Sequence, residues 1–186
     1  LKVLGENGCW GYSDTVLVAE LLDERDQQFY DVVKVGDQWW MAENLKFRTG
    51  SGSWFYKDDS ARFAGLGRLY NWQHAGSSCP SGWHLPSDNE WILLEMRAGL
   101  ALSEAYNSEW RGTGLRENMI RGGSTGLNVI YSGFRTPEAQ YNGINLAGIF
   151  WTATEASADE HWYRGLNVSY SGSHRIFLDD DYGLSV

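Results

Sequence analysis

The sequence predicts one globular domain of the α+β class, built around a mainly antiparallel sheet. Three observations support this class: a β-hairpin pattern near residues 29–45, two helical patterns grouped between residues 61 and 98, and a run of short strand-like segments after residue 128. Grouped helices argue against parallel βαβ units, in which helices and strands alternate. The chain has 186 residues, of which 42% are hydrophobic and 15% aromatic, so it can bury a core and is not of the disordered class.

The first element is the hairpin FYDVVKVGDQWWMAENL. Val33 and Val35 alternate with Lys34, and Gly36-Asp37 supplies a turn before an apolar edge resumes at Trp39. The preceding segment, TVLVAELLDER, has a short apolar run followed by charges, and its pattern fits a strand and a helix equally.

Two helices are expected next. The first begins at Ala61 and ends near Gly76, which acts as a terminator. The second begins with a capping box, because Ser87 and Glu90 can each bond the other's backbone amide, and Asp88 suits the positive end of the helix dipole. The polar stretch from 100 to 127 predicts long loops with a short helix around 117–120.

The C-terminal part of the chain predicts an antiparallel sheet, from the runs NVIYSGFR, LAGIFWTATE, HWYRGLNVSY, SHRIFLDD and GLSV. Side chains alternate along a strand, so the third run divides into two sides. One side is expected to anchor the strand and comprises Trp162, Arg164, Leu166 and Val168. The other side is expected to be displayed and comprises Tyr163, Gly165, Asn167 and Ser169.

The charge and the apolar pattern exclude two classes of partner. A formal net charge of -9 would repel phosphate backbones and anionic membranes, so we expect no nucleic-acid partner. No run approaches the roughly 20 apolar residues of a membrane span, so we expect no membrane insertion. The first residues lack a signal-peptide pattern, and the Leu at position 1 suggests a mature or trimmed fragment.

The histidines and cysteines do not predict a catalytic centre. His84 in GWHLP is interpreted as a buried, hydrogen-bonded core residue, because a catalytic base needs a nucleophile and an orienting group nearby. Cys9 and Cys79 are the two cysteines, and a disulfide between them and free thiols are both compatible with the sequence.

The carboxylates offer two further alternatives. Glu43 and Glu155 could serve a polysaccharide-acting enzyme, but buried carboxylates that bond loop amides are favoured at both positions. Three consecutive acids at Asp179, Asp180 and Asp181 are more typical of a solvated turn than of a calcium loop. We therefore expect a protein that is not an enzyme and has no metal or cofactor.

The aromatic residues fall into two groups. Five tryptophans in mixed apolar runs are predicted to form the core: Trp39, Trp40, Trp83, Trp91 and Trp151. Four rings lie instead among Gly, Ser, Asn and Asp, a composition typical of adaptable binding surfaces: Tyr163, Tyr170, Phe177 and Tyr182. A glycan site, a protein-binding face and an exposed hairpin are all compatible with the second group.

Seven stretches carry a resemblance to a known family: GDQWWMAENL, GRLYNWQHA, CPSGWHLPSDNEW, GFR, FWTATE, WYRGLNVSY and YGLSV. In this order they resemble the Fibrobacter succinogenes major paralogous domain from Asp23 to the end, so that residues 1–22 form an N-terminal extension and residues 23–186 the ligand-binding domain. The resemblance implies a C-type-lectin-like fold: a twisted antiparallel sheet with two helices, adjacent terminal strands and long loops.

The resemblance also implies a function. Several family members are variable proteins of diversity-generating retroelements, which implies a receptor- or adhesin-type domain outside the cell, on a cell or virion surface, with a protein or glycan ligand. The implied fixed supports are Trp162, Arg164, Leu166, Arg175 and Gly183. The implied ligand-binding positions are Ala156, Ser157, Asp159, Glu160, Tyr163, Gly165, Asn167, Ser169, Tyr170, Gly172, His174, Ile176, Phe177, Leu178, Asp179, Asp181 and Tyr182. The alternatives are the polysaccharide-acting enzyme and a structural module of a cell-surface assembly.

The sequence departs from the family and its relatives at three places. The family continues after the equivalent of Val186 with Arg-Cys-Val, whose cysteine would be a natural partner for Cys79, and this cysteine has no counterpart here. The calcium-binding triplets E-P-N and W-N-D of C-type lectins are absent, so calcium-dependent sugar binding is not carried over. The active-site cysteine pair of the related formylglycine-generating enzymes has no match either.

Overall fold

The computed structural model describes residues 16–186 and begins with a three-stranded antiparallel sheet. Its strands are β1 (Leu17–Asp23), β2 (Gln28–Val35) and β3 (Gln38–Met41), in the order β1-β2-β3. The predicted hairpin is confirmed: Val33 pairs with Trp40 across a turn in which Gly36 has a φ of +62°. The segment that fitted a strand and a helix equally is strand β1, which pairs with β2 along its whole length.

The next segment is irregular, and the predicted helix from Ala61 to Gly76 is wrong. The chain forms β4 (Ser53–Trp54), α1 (Ser60–Phe63), β5 (Leu69–Tyr70) and α2 (Trp72–Ala75). Gly67 interrupts the helical pattern with a φ of +80°, and a Cβ there would lie 2.5 Å from the Cβ of Asn44. Beyond it, the Tyr70 amide donates to the Leu184 carbonyl at 2.7 Å. Pairing with the distant C-terminus therefore overrides the local helical pattern.

The longest helix is α3 (Asp88–Arg97), and its predicted capping box is confirmed. The Ser87 Oγ accepts from the Glu90 amide, while the Glu90 carboxylate accepts from the Ser87 amide at 2.8 Å. The predicted short helix is also confirmed as α4 (Leu115–Met119). Single 3-10 turns lie at Tyr56–Asp58, Ala64–Leu66, Gly76–Ser78 and Leu102–Glu104. Within residues 16–186, the helices are all too short to span a bilayer.

The C-terminal half contains the main sheet. In chain order, the strands of this half are β6 (Glu109–Arg111), the small pair β7 (Phe134–Arg135) and β8 (Tyr141–Asn142), then β9 (Ala147–Ser157), β10 (Glu160–Asn167) and β11 (Ser173–Asp179). The main sheet has the order β6-β11-β10-β9, all antiparallel, while β7 and β8 pair separately. The α+β class with antiparallel sheets is therefore confirmed.

The core has two layers, one on each face of the main sheet. Adjacent residues of β9 enter different layers: Phe150 packs with α3 and the first sheet, whereas Trp151 packs with Tyr70 and Leu184. The Trp151 indole also donates to the Tyr70 carbonyl at 2.7 Å. The prediction of a core position is wrong for Trp39, which alternates with the buried Trp40 and is 45% exposed.

A buried ionic network joins α3 to three strands of the main sheet. We define it by two carboxylates of α3 and three arginines, one each from β6, β10 and β11: Asp88, Glu95, Arg111, Arg164 and Arg175. Arg175 bonds both oxygens of Asp88, with distances of 2.9 Å from Nε to Oδ1 and 2.8 Å from Nη2 to Oδ2. Arg164 reaches both carboxylates, at 2.8 Å for Asp88 and 3.2 Å for Glu95.

The network depends on its carboxylates, because it contains three guanidinium groups and only two acids. Burial alone would raise the pKa of Asp88, but the hydrogen bonds from Arg175 and the charge of Arg164 hold that pKa below its ordinary value. Glu95 is fully buried, and it accepts from Arg111 and from the Ser173 hydroxyl. Removal of either acid would leave buried positive charge without its partner.

We predict that Glu95→Ala destabilises the protein by about 3–5 kcal/mol, because Arg111 and Arg164 lose a buried partner. Urea unfolding followed by circular dichroism would measure the change. The matched control is Glu117→Ala, which breaks the more exposed pair with Arg116 and should cost less than about 1 kcal/mol. Equal costs for the two variants would contradict the importance of the network.

Candidate functional site

A row of aromatic rings crosses the main sheet at its β6 edge. Trp110 on β6 stacks with Tyr170, with ring centroids 4.0 Å apart, and with His174 on β11, at 4.7 Å. Tyr163 on β10 meets His174 edge-on at 5.8 Å. We call these four residues the aromatic strip. Tyr170 is the most exposed of them, at 49%, while the other three are half-buried.

Hydrogen bonds fix the histidine at the centre of the strip. His174 Nε2 lies 2.8 Å from a carboxylate oxygen of Glu109, and His174 Nδ1 lies 3.2 Å from the Tyr163 hydroxyl. A neutral His174 satisfies both contacts when its Nε2–H donates to Glu109 and its Nδ1 accepts from Tyr163. Glu109 itself has a φ of +67°, a conformation that is uncommon for a residue with a side chain. The strip is therefore held in one arrangement by contacts from three strands.

Two glycines shape the surface around the strip. Gly165 pairs with His174, and a Cβ at Gly165 would lie 3.3 Å from the Cβ of His174 and 3.4 Å from the Tyr163 ring. A Cβ at Gly172 would lie 2.4 Å from the carbonyl oxygen of Arg111. Both glycines are buried, so these two positions from the predicted ligand-binding set do not present a side chain to solvent.

The other predicted ligand-binding positions, apart from Phe177, fall into three groups. Beside the strip or in its adjoining loop lie Asn167, Ser169 and Ile176. The hairpin between β9 and β10, with the turn after β11, forms an acidic end that contains Ala156, Ser157, Asp159, Glu160, Asp179 and Asp181. Leu178 and Tyr182 pack against the second core layer, as Tyr163 of the strip also does.

Phe177 lies on the opposite face from Tyr163. It pairs with Trp162, and the two rings meet edge-on at 5.6 Å. The guanidinium of Arg175, a member of the buried ionic network, lies 3.9 Å over the Trp162 ring. Phe177 is 42% exposed, whereas burial raises the pKa of Tyr163 to about 12. The implied ligand-binding set therefore does not form one continuous face of the sheet.

The anchoring side predicted for β10 is confirmed at its centre and wrong at its end. The displayed side is wrong at two positions, because Tyr163 is half-buried against the second core layer and Gly165 is buried. Arg164 and Leu166 are fully buried on the side facing α3, as expected of anchoring residues. Alternation predicts Val168 on the same side, but β10 ends at Asn167 and Val168 is exposed in the following loop. The loop departs from strand geometry here, so period-two alternation no longer applies.

Local sequence patterns do not predict two residues of the site. Trp110 and Glu109 lie in a stretch interpreted as long loops, yet they form β6 and pair with His174 and Arg175 of β11. The three-residue run EWR, with an aromatic residue between charged ones, is a weak signal for a strand, and its partner lies more than 60 residues away. The prediction of a buried His84 was also wrong, since its side chain is 71% exposed and contacts Glu90 at 2.8 Å.

Glu43 and Glu155, the carboxylates of the enzyme alternative, lie in different parts of the structure. Glu43 follows β3 in the first sheet and is held by the Asp31 amide at 3.2 Å and by Lys46 at 2.7 Å. Glu155 is exposed on β9 of the main sheet. Glu43 therefore lies beside the first sheet and Glu155 on the main sheet, and the two oxygens of Glu43 are both engaged.

Potential metal ligands are not grouped in the described part of the chain. Residues 16–186 contain no cluster of three His, Cys, Asp or Glu side chains that could hold a metal ion. In the acidic turn, Asp179 accepts from the Asp181 amide and Asp180 bonds His161. Burial raises the pKa of the Cys79 thiol to about 11. The possible partner Cys9 lies outside the described residues.

A family model, the Fibrobacter succinogenes major domain, matches residues 33–186. The chain belongs to the Fibrobacter succinogenes major domain family. The match includes α3, the buried ionic network and the aromatic strip of this family member, and it begins ten residues after the Asp23 expected from the motifs. Among curated proteins and among solved structures, no significant match is found.

We predict that Gly172→Ala destabilises the protein by about 1–3 kcal/mol, because the added Cβ overlaps the Arg111 carbonyl oxygen and the backbone must shift. The matched control is Ser169→Ala in the same loop, where the side chain is exposed and a change within about 0.5 kcal/mol is expected. Urea unfolding measures both. A Gly172→Ala variant as stable as Ser169→Ala would contradict the close packing of this loop.

Proposed function

We propose that this chain is a non-catalytic, receptor- or adhesin-type ligand-binding domain with a C-type-lectin-like fold, which binds a protein or glycan at a cell or virion surface. The observation that carries the proposal is the aromatic strip. Its rings are partly exposed, and the strand beneath them is fixed by buried ionic contacts. Contacts between the C-terminal residues and the segments that follow the first sheet support the fold assignment. The Leu45 amide donates to the Val186 carbonyl at 2.8 Å, and Tyr70 forms a bridge with Leu184.

The chemistry of the strip suits recognition of a ligand surface. Tyr170 and Trp110 offer large, stiff rings that lose little conformational entropy on binding. Ser169 and Asn167 in the adjoining loop supply hydrogen-bonding groups that can adapt to different partners. Binding energy at such surfaces concentrates in a few aromatic or arginine residues, so Tyr170 and Trp110 are the proposed anchors.

The distribution of burial supports a surface that tolerates sequence change. Arg164, Leu166 and Arg175, three of the implied fixed supports, are buried. Ser169 and Tyr170, two of the implied variable positions, are exposed. A retroelement that substitutes adenine-containing codons would therefore alter contacts with a ligand more than the packing of α3. A near-identical repeat of the 3′ coding end, differing at adenines beside a reverse-transcriptase gene, is the expected genomic arrangement; its absence would remove diversification from the proposal.

We predict that Tyr170→Ala weakens ligand capture at least about tenfold, because the proposed site loses its most exposed ring. An array of glycans and bacterial surface proteins, probed with the wild-type chain, would identify the ligand class and provide the affinity to compare. The matched control is Phe29→Ala, which removes an exposed ring from β2 of the first sheet and should leave capture unchanged.

Thermal unfolding separates binding from stability in this experiment. Because Tyr170 lies in an exposed loop, its substitution should change the free energy of unfolding by about 1 kcal/mol or less. Capture that is equal for Tyr170→Ala and Phe29→Ala would place the binding surface elsewhere. Turnover of a polysaccharide on the array, abolished by Glu43→Gln or Glu155→Gln, would favour the enzyme alternative instead.

A further inference from the structure

A serine, a histidine and an asparagine form a chain of two hydrogen bonds between the loop before β4 and the start of α2. The Ser51 Oγ lies 3.0 Å from His74 Nε2, and His74 Nδ1 lies 2.7 Å from Asn71 Oδ1. Ser51 is exposed, whereas His74 and Asn71 are half-buried. An alcohol, a base bonded to it and a group that orients the base are the parts of an activated nucleophile.

The hydrogen bond to Asn71 determines which nitrogen of His74 carries the proton. Asn71 Oδ1 is an acceptor, so His74 Nδ1 donates to it. In a neutral imidazole the other nitrogen, Nε2, is then an acceptor, and the Ser51 hydroxyl donates to it. In this tautomer, His74 can take the hydroxyl proton when the Ser51 oxygen attacks an electrophile.

Backbone contacts hold the serine loop against α2. The Asn71 amide donates to the Gly52 carbonyl at 3.0 Å, and the His74 amide donates to the Asn71 carbonyl at 3.1 Å. The Thr49 hydroxyl donates to the Ser51 carbonyl. Gly52 has a φ of +69°, and a Cβ there would lie 2.1 Å from His74 Nδ1. A glycine next to Ser51 therefore allows the loop to pass this close to the imidazole.

We propose that Ser51 is a nucleophilic serine that is acylated by activated carboxylic esters. The Ser51 Oγ attacks the ester carbonyl carbon, and its hydroxyl proton passes to His74 Nε2. The bond from that carbon to the leaving oxygen then breaks, which leaves an ester on Ser51. The His74 imidazolium returns its proton to the leaving group, so the step needs no oxidant or reductant. Asn71 is a positioning residue, because it acts through His74.

This modification is separate from the proposed receptor function. It occurs once on each chain and requires no turnover, so it is compatible with a non-catalytic ligand-binding domain. Its residues lie before β4 and at the start of α2, whereas the aromatic strip lies on β6, β10, β11 and the loop between the last two. Each proposal can therefore fail without the other.

A neighbouring serine provides an internal control for the reaction. Ser77 is also exposed, but its hydroxyl donates to the His74 backbone carbonyl at 3.1 Å rather than to a ring nitrogen. The full chain would be treated with 4-nitrophenyl acetate, and acetylation of each serine followed by mass spectrometry of its peptides. Because general-base assistance contributes roughly 10²–10⁴-fold, Ser51 should be acetylated at least about a hundredfold faster than Ser77. Equal rates at the two serines would overturn the proposal.

Variants test the roles of the base and of the residue that orients it. His74→Gln keeps a side chain that can bond Ser51 but cannot take its proton, so acetylation of Ser51 should fall to the rate of Ser77. Asn71→Ala should slow it about tenfold or more, whereas Asn71→Asp, which keeps the acceptor oxygen, should not. Tyr170→Ala in the aromatic strip should leave acetylation unchanged.

Circular dichroism verifies that each variant is folded. Undiminished acetylation of Ser51 in folded His74→Gln would contradict the proposed proton transfer. Equal losses in Asn71→Ala and Asn71→Asp would contradict the positioning role of Asn71.

Discussion

The buried ionic network between α3 and the main sheet is the constraint on which the rest of the structure depends. Charges withdrawn from water are tolerated only when their partners are well placed, so Asp88 and Glu95 fix where Arg111, Arg164 and Arg175 can lie. These arginines come from three neighbouring strands. The network therefore sets the positions of β6, β10 and β11 relative to α3. Side chains on the opposite face of these strands are consequently attached to a backbone whose position is fixed.

The capping box illustrates how the helix that carries this network is positioned. Ser87 and Glu90 satisfy each other's amides at the N-terminus of α3, which places Asp88 in the first turn and Glu95 two turns further along the same face. This part of the structure was predictable, because a capping box is a local signal. The hairpin and the anchoring side of β10 were predictable for the same reason.

Features that depend on distant pairing could not be predicted from local patterns. Leu69 and Trp72 suggested one helix, but Tyr70 pairs with Leu184 and the chain is extended there. The pairing of Trp110 with His174 joins segments that no local pattern connects. The resemblance implied one set of ligand-binding positions between residues 156 and 182, whereas the structure divides them between two faces and an acidic end. The side of a strand on which a side chain lies follows from the local sequence. Whether that side is covered depends on segments that are distant in the sequence.

The central claim is that the scaffold is specified by its buried charges, while the exposed and half-buried positions around Tyr170 tolerate change. Two libraries displayed on yeast, one randomised at Ser169, Tyr170 and Ile176 and one at Arg164, Leu166 and Arg175, measure this directly when they are sorted for resistance to protease. We expect most members of the first library and few of the second to remain resistant. Similar resistant fractions in the two libraries would contradict the account.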